Sequence, residues 1–515
     1  MAGLAAVLKG ELNGSWTPII GGIVTFLVVY YVGVAIYRLF LSPLAKFPGP
    51  KFAGLTRWYE GYYEIIKSGS YSRRIDRMHD EYGPIVRVAP DEIHIRDPDF
   101  WDDVYSKNPK IQVAKIGWDT RFGSKASTFT TPDATKHRQR RAAFSNMFSK
   151  RAILQLEPVI RDTASTLIRR MVEFAESKKV LNVREAYSAY TGDIIMQYSF
   201  GFCYNQLETP NFDSFHYAFK AIGGMGHIAA QWPWVLPLMN SLPDWLVQIL
   251  EPASAELLRL KRDQWDLVGR TIRGEELKVS HRTIFNEIVE SQLPPEDKSQ
   301  QRLADEAQTT VGAGVETTAN TLSIATFHIS NTPSIYEKLH KELVEAFPDR
   351  TVVPSLYDFE KLPYLRACIQ EGLRLGYGLS ARNPRAHDRP LRYNDWVIPA
   401  HTTVAMTIVD LHHDEKIFPQ SHSYIPERWL NNPVASTGKA LDHYLVPFGR
   451  GPRMCMGINL AWAELHYCLG TVFRQFKFDL FETDVTDVKM AHDFFIPFVK
   501  FDSKGVRVTV SETKD

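Results

Sequence analysis

Hydrophobic and polar positions along this chain change rhythm several times, and each rhythm marks a different kind of segment. From Ile19 to Tyr37 no charged residue occurs, a run that at about 1.5 Å per residue nearly crosses a hydrocarbon core of roughly 30 Å. The apolar character continues into Leu39-Phe40-Leu41, so the pattern predicts one membrane-spanning helix over residues 19–41. A cleaved signal peptide, the competing reading, has an apolar run of only ~7–15 residues. Arg38, Lys46, Lys51 and Arg57 follow the run, against Lys9 with Glu11 before it. That asymmetry places the body in the cytosol and residues 1–18, with the sequon Asn13-Gly-Ser, on the lumenal side. The prolines of Pro43-Leu-Ala-Lys-Phe-Pro-Gly-Pro50 fix φ and remove donors, so residues 42–52 read as a stiff hinge.

A two-residue alternation then appears in Tyr82–Pro90 and Ile93–Arg96 around Asp91-Glu92, which predicts a β-hairpin. Beyond Asp97 the texture is helical. A helix opens at Lys136 and runs toward Phe148, with His137 and Arg141 one turn apart on one face. Residues 212–250 are apolar and aromatic, and either pack as core or face lipid. Residues 275–301 are charged and read as a surface connection. A long helix is expected from Leu303 to about Ser330, in which Gly312 and Gly314 each cost about 1 kcal/mol relative to alanine. Something flat or a backbone distortion is therefore expected beside them. Strands follow through Leu391 to Val409, Leu411-His-His-Asp-Glu415 reads as a polar turn without metal-ligand spacing, and Leu460–Cys468 is helical. A hairpin around Ser503-Lys-Gly505 closes the chain.

Charge and cysteine content narrow the function classes. The formal net charge of +1 over 515 residues gives no basic excess for nucleic-acid binding. Cys203, Cys368, Cys455 and Cys468 have no C-x-x-C spacing, so neither a zinc site nor a disulfide framework is indicated, which argues for a reducing compartment.

The chemistry concentrates in Phe448-Gly-Arg-Gly-Pro-Arg-Met-Cys-Met-Gly457. Glycines let backbone wrap a cysteine closely, and Arg453, two residues before Cys455, suits a carboxylate. The bland alternative is an inert thiol in a Gly-rich turn. Phe448, Gly451, Arg453, Cys455 and Gly457 meet every fixed position of F-x-x-G-x-R-x-C-x-G, and here the chain resembles the cytochrome P-450 superfamily. The resemblance implies haem b with Cys455 as its axial thiolate, a ligand that favours O–O cleavage.

Further motifs carry the likeness along the chain. His137 and Arg141 resemble the W-x-x-x-R helix that binds a haem propionate, with histidine in place of tryptophan. The off-face Lys136, Arg138 and Arg140 would then be free to meet an acidic redox partner. Ala313-Gly-Val-Glu-Thr-Thr318 resembles A-G-x-[DE]-T-[TS], which implies that Thr317 holds a hydrogen bond and water near the bound oxygen while Glu316 feeds protons. Glu371-Gly-Leu-Arg374 resembles E-x-x-R, and Arg428 in Pro426-Glu-Arg-Trp429 is the implied third member of a buried cluster. Arg385 matches another propionate ligand, with Arg382 as its competitor. Residues 212–250 take the place of a lid partly dipped in the membrane, and the loop before the last hairpin that of a chamber wall.

The implied whole is a mainly α fold of the cytochrome P-450 type, with a small β-rich subdomain and an N-terminal transmembrane helix. Residues 53–515 form one haem-thiolate domain, since motifs from His137 to Cys455 must converge on one cofactor. The implied activity is an NADPH- and O2-dependent monooxygenase on a hydrophobic small molecule. Electrons come from a flavin-containing NADPH-cytochrome P-450 reductase, with cytochrome b5 as a further donor, at the endoplasmic reticulum membrane. Residues 46–97 and 396–430 look most like fungal secondary-metabolism members, which points to terpenoid or polyketide intermediates. A haem-thiolate isomerase or dehydratase and a haem gas sensor remain the other classes.

Overall fold

The computed structural model describes residues 17–108, 110–117, 121–250, 254–275, 279–350, 352 and 354–513. The expected lumenal tail through residue 16, with its sequon, lies outside them. The helices that matter below are α1 Thr17–Ile36, α2 Tyr71–Tyr82, α3 Ala134–Ala142, α4 Lys150–Ser177, α5 Val183–Phe200, α6 His216–Gln231, α7 Gln300–Asn331, α8 Pro363–Gly376, α9 Ile408–His412 and α10 Ile458–Gln475.

Helix α1 and the π-helical turn Tyr37–Leu41 form one apolar run, and none of the eighteen-residue stretch that best fits a membrane is buried. This is what a sequence without polar contacts to satisfy can do alone, because a helix closes its own backbone hydrogen bonds. At its end Arg38 donates to Leu55 O at 2.8 Å and Arg87 donates to Arg38 O at 2.8 Å, so the apolar helix is tied to the body.

The core is helical. Helix α5 is buried on nearly every face, and it packs along α7, which also meets α8 and α10. Gly312 and Gly314 are explained by this packing, and of the two expected causes a flat neighbour is the one found, at Gly312. A Cβ on Gly312 would stand 2.7 Å from the Phe219 ring of α6, and one on Gly314 2.7 Å from Ile195 of α5. Both glycines admit neighbouring helices at close range.

Among the described residues the strands form four small sheets. A five-stranded sheet has the order β1-β2-β8-β5-β3, from Ile85–Ala89, Glu92–Ile95, Thr403–Ala405, Arg385–His387 and Val113–Lys115. Strands β1 and β2 are the expected hairpin, with a shift between Arg87 and Ala89. Leu181–Asn182 (β4), Arg507–Glu512 (β12) and Phe476–Leu480 (β9) form a second sheet, and Leu391–Tyr393 (β6) pairs with Trp396–Ile398 (β7). The strand pattern expected up to Val409 stops at Ala405, and α9 follows.

Two readings of the surface are overturned. Residues 275–301 are more than a surface connection: the short helix Ile284–Glu290 buries Ile284, Phe285 and Ile288, and Phe285 stacks on Phe200 at 4.5 Å. The closing hairpin lies earlier than expected. His492–Phe494 (β10) pairs with Ile496–Phe498 (β11), so its tip is Phe495, whose φ of +81° is unusual for an aromatic residue.

Candidate active site

The loop that carries Cys455 closes on itself through the Cys455 N–H, which donates to Phe448 O at 2.8 Å. Gly451 has φ +72°, and a Cβ there would meet Tyr105 O at 2.6 Å, so only glycine fits. Gly457 has φ −80° and no need of left-handed freedom. It is the N-cap of α10, and its amide donates toward the Cys455 sulfur. Burial pushes the Cys455 thiol up, while the Gly457 N–H and the Arg141 guanidinium pull against it. Cys455 lies deep among protein atoms and is nonetheless exposed at its own surface. It therefore stands on the wall of an internal cleft. Ala313, exposed in the middle of the otherwise buried α7, is a second such wall residue.

Around this cleft the chain collects positive charge. Arg385 is buried, donates to Pro384 O at 2.9 Å and lies over the Tyr105 ring at 5.3 Å. Arg453 donates to Thr131 O at 2.7 Å and Pro132 O at 2.9 Å. Burial first, then repulsion from Arg385 and Arg141, lowers Arg453 to about 9. His137 is held neutral, at about 2, by burial and by the same cations with Lys115. Lys115, on β3, lies with them, and burial drives it well below its ordinary value. Among the described residues Arg141, Arg385 and Arg453 form no ion pair with a carboxylate. Guanidinium groups gathered in a low dielectric without anions cost several kcal/mol each. The donor set therefore fits a flat cofactor that brings its own carboxylates, and a soft thiolate to bind its metal.

Arg382 has a different setting. It pairs with Glu60 and, at 3.2 Å, with Glu92, both buried, so it is spent within the protein. Helix α3 likewise separates its cations. Arg140, expected to be free for a partner, is buried and bonds to Asp297 at 2.5 and 3.0 Å. Lys136 lies 3.8 Å from the same carboxylate, and Arg138 stays exposed.

On α7, Thr317 is half-buried and its hydroxyl donates to Ala313 O at 2.9 Å. Glu316 points elsewhere: it is buried, with Arg184 of α5 at 2.6 Å and His216 of α6 at 3.0 Å. Burial would raise its carboxyl, but His216 and Arg184 outweigh that and hold it below the usual range. Helix α7 thus sets a hydroxyl beside the cleft and a carboxylate beside α6.

Glu371, Arg374 and Arg428 come together with almost no exposure. Arg374 bonds to both Glu371 oxygens at 2.8 and 2.9 Å, and Arg428 reaches Oε1 at 3.0 Å. Trp429 Nε1 donates to Oε2 at 2.9 Å, and the Ile425 N–H donates to Oε1 at 2.9 Å. His412, read as part of a polar turn, is fully buried instead. Its Nδ1 donates to Arg374 O at 2.8 Å, and its Nε2 accepts from the Val446 N–H at 3.0 Å. It links the charge cluster to the segment leading into the cysteine loop. Trp429 and His412, like Lys115, Arg184 and His216, were not singled out in the sequence.

A sequence profile described as Cytochrome P450 matches residues 55–502. The chain is 42% identical over 500 residues to the cytochrome P450 monooxygenase sdnE of Sordaria araneosa, covering 94% of this chain and 96% of that protein. It is 41% identical over 506 residues to the tryptophan 6-hydroxylase fscE of Fusarium equiseti, covering 96% and 98%. To the cytochrome P450 monooxygenase tpcC of Cochliobolus heterostrophus it is 40% identical over 508 residues, covering 94% and 95%. With a cysteine in a glycine-bounded loop, a cationic rim that forms no ion pair with a carboxylate among the described residues and this likeness over nearly its whole length, the chain belongs to the cytochrome P450 family, as an oxygen-incorporating haem oxidoreductase of the fungal secondary-metabolism type.

Proposed function

We propose that the chain is an NADPH- and O2-dependent monooxygenase anchored in the endoplasmic reticulum membrane, which hydroxylates or epoxidises a hydrophobic terpenoid or polyketide intermediate. Electrons come from a flavin-containing NADPH-cytochrome P450 reductase, with cytochrome b5 as a further donor. The observation that carries this reading is the pairing on α7 of Thr317 at the cleft with an ionised, buried Glu316 one residue away. A proton-delivery task needs both, and an isomerase or gas sensor needs neither.

Haem, when bound through Cys455, supplies oxygen activation. The chain's residues do the rest. Arg141, Arg385 and Arg453, with Lys115 and His137 beside them, orient the cofactor by its carboxylates, and Phe448 and Gly457 shape the thiolate loop. The Thr317 hydroxyl, engaged with Ala313 O, keeps lone pairs free to hold a water in the cleft. Half-buried His216 bonds to Glu316 at 3.0 Å, so it offers a route for a proton from solvent to Glu316. Glu371, Arg374 and Arg428 hold the region behind the loop. Phe122, Phe129 and Phe495 cluster at 4.9 to 6.5 Å and give the substrate an aromatic, water-excluding wall.

The relative named tryptophan 6-hydroxylase adds an aromatic amino-acid derivative to the substrates worth offering. The test is NADPH oxidation by membranes carrying this chain and purified reductase, with terpenoid, polyketide and indole candidates. Substrate-dependent NADPH use with an oxygenated product supports the reading, and Cys455→Ser should lose both. Product without NADPH use would give the isomerase reading instead.

A further inference from the structure

His79 on α2, His94 on β2 and Asp410 on α9 meet on the sheet side of the molecule, and the reading above uses none of them. One ring nitrogen of each histidine and a carboxylate oxygen of Asp410 all lie within 4.8 Å of one another. Both histidines are buried, His94 completely, and Asp410 is half-buried.

The hydrogen bonds of this cluster do not close. His79 Nδ1 lies 2.8 Å from Gly83 O, and His79 Nε2 lies 2.8 Å from His94 Nδ1. A carbonyl only accepts, so His79 carries its proton on Nδ1 and turns a lone pair toward His94. His94 must then donate from Nδ1, which leaves its Nε2 as a second lone pair. That atom is buried without a hydrogen-bond partner, and so is Asp410 Oδ2. His94 Nε2, enclosed without a donor, costs about 1–3 kcal/mol.

We propose that His79, His94 and Asp410 form a binding site for a divalent transition-metal ion of the zinc type, with two imidazoles and one carboxylate as ligands and water in the fourth position. Two nitrogens and an oxygen suit zinc and its neighbours and are a poor set for magnesium or calcium. The His79 Nδ1–H bond to Gly83 O is the outer contact that fixes a metal-binding imidazole. Metal–nitrogen bonds of about 2.0–2.1 Å set tetrahedral ligand atoms roughly 3.3 Å apart. Binding through His79 Nε2 and His94 Nδ1 moves the His94 proton to its Nε2, and the 2.8 Å between the two nitrogens opens by about half an ångström.

The surrounding charges are compatible with a cation. Asp76 and Asp80 act on the cluster from α2, Arg96, which pairs with both, acts from the end of β2, and Arg382, itself paired with Glu60 and Glu92, acts on His94. Burial keeps His79 neutral, at about 4, and His94 well below its ordinary value. Both rings therefore offer lone pairs at neutral pH. Burial raises Asp410 to about 7, with Thr407 pulling against it. A proton on Asp410 is the competitor that a metal must displace.

The test uses the full-length, haem-loaded protein. It is stripped with a chelator, dialysed against micromolar Zn2+, and zinc and haem iron are counted by elemental mass spectrometry. The wild type should hold one zinc per chain more than Asp410→Asn and His94→Gln, at equal haem content. X-ray absorption at the zinc edge of the wild type alone should show two imidazoles and light-atom ligands only, so the proposal stands even if a variant misfolds. Equal zinc in wild type and variants overturns it, as does a zinc spectrum without two imidazoles, and the cluster then holds only a proton.

Discussion

Arg382 and Arg385 lie three residues apart and meet opposite surroundings, and this difference separates their mutants. Arg385→Ala removes a cation that has no protein anion, so the apoprotein should lose little while haem retention falls. Arg382→Ala leaves Glu60 and Glu92 buried without their partner, which costs about 3–5 kcal/mol. Haem per chain and the thermal midpoint, measured together, should move in opposite order for the two variants. Equal haem loss would remove Arg385 from the cofactor. The neighbours on α7 divide in a similar way. Thr317→Ala takes a hydroxyl from the cleft, so NADPH oxidation should persist while product falls and hydrogen peroxide appears. Glu316→Gln keeps the shape between Arg184 and His216 but ends proton transfer, so overall turnover should drop on the order of 10²-fold with product per NADPH nearly kept. Full coupling in Thr317→Ala would place the relay elsewhere.

At the level of elements, α8, α9 and the cysteine loop are joined through one imidazole. Burial, helped by nearby Arg374 and His413 and opposed by the hydrogen bond to Arg374 O, lowers His412 to about 3. Its folded value lies below its unfolded value of about 6.5, so below pH 6.5 the unfolded chain binds the proton first. His412 therefore contributes stability that is full above pH 6.5 and is lost as pH falls toward 3. Each unit in that window is worth about 1.4 kcal/mol. His412→Gln does not titrate, so its stability deficit should narrow by about 2–3 kcal/mol between pH 7 and pH 4.5, followed by urea denaturation at both values. A constant deficit would mean that His412 is charged or does not bridge. This contact also shows where sequence reading stops. The Glu371-x-x-Arg374 spacing and the loop around Cys455 are local, since residues a turn or a few bonds apart must meet. His412 was dismissed because its neighbours are polar, and only the fold reveals that Arg374 O and Val446 N flank its two nitrogens. Gly312 and Gly314 were legible as an anomaly but not as a contact, because Phe219 and Ile195 come from helices remote in sequence. Arg140 failed for the same reason: a basic stretch reads as solvated until Asp297, far along the chain, is brought beneath it.

For the whole molecule, two apolar surfaces are candidates for contact with a bilayer. The apolar run 19–41 was legible because length and composition alone define it. The second surface was left open between core and lipid, and the described residues divide it. Within α6, Ala218, Phe219 and Ala229 are buried, whereas farther on Trp234, Leu238, Trp245 and Ile249 are at least half exposed. Trp58, also exposed, meets Trp232 edge-on at 5.3 Å, and Ile66 is exposed close by in sequence. Aromatic rings with polar edges favour the interfacial zone, and an apolar face without a protein partner gains by entering it. Arg38, tied to Leu55 O, holds the anchor close to the segment that carries Trp58. Deleting residues 1–41 should therefore release the body from membranes only in part. Adding Trp234→Ser, Leu238→Ser and Trp245→Ser to that deletion should release most of the remainder at low salt, with haem content unchanged because these side chains support no core. Sedimentation of both forms with vesicles decides it. Complete release by the deletion alone would show that residues 212–250 make no lipid contact, and that their exposed face serves another purpose.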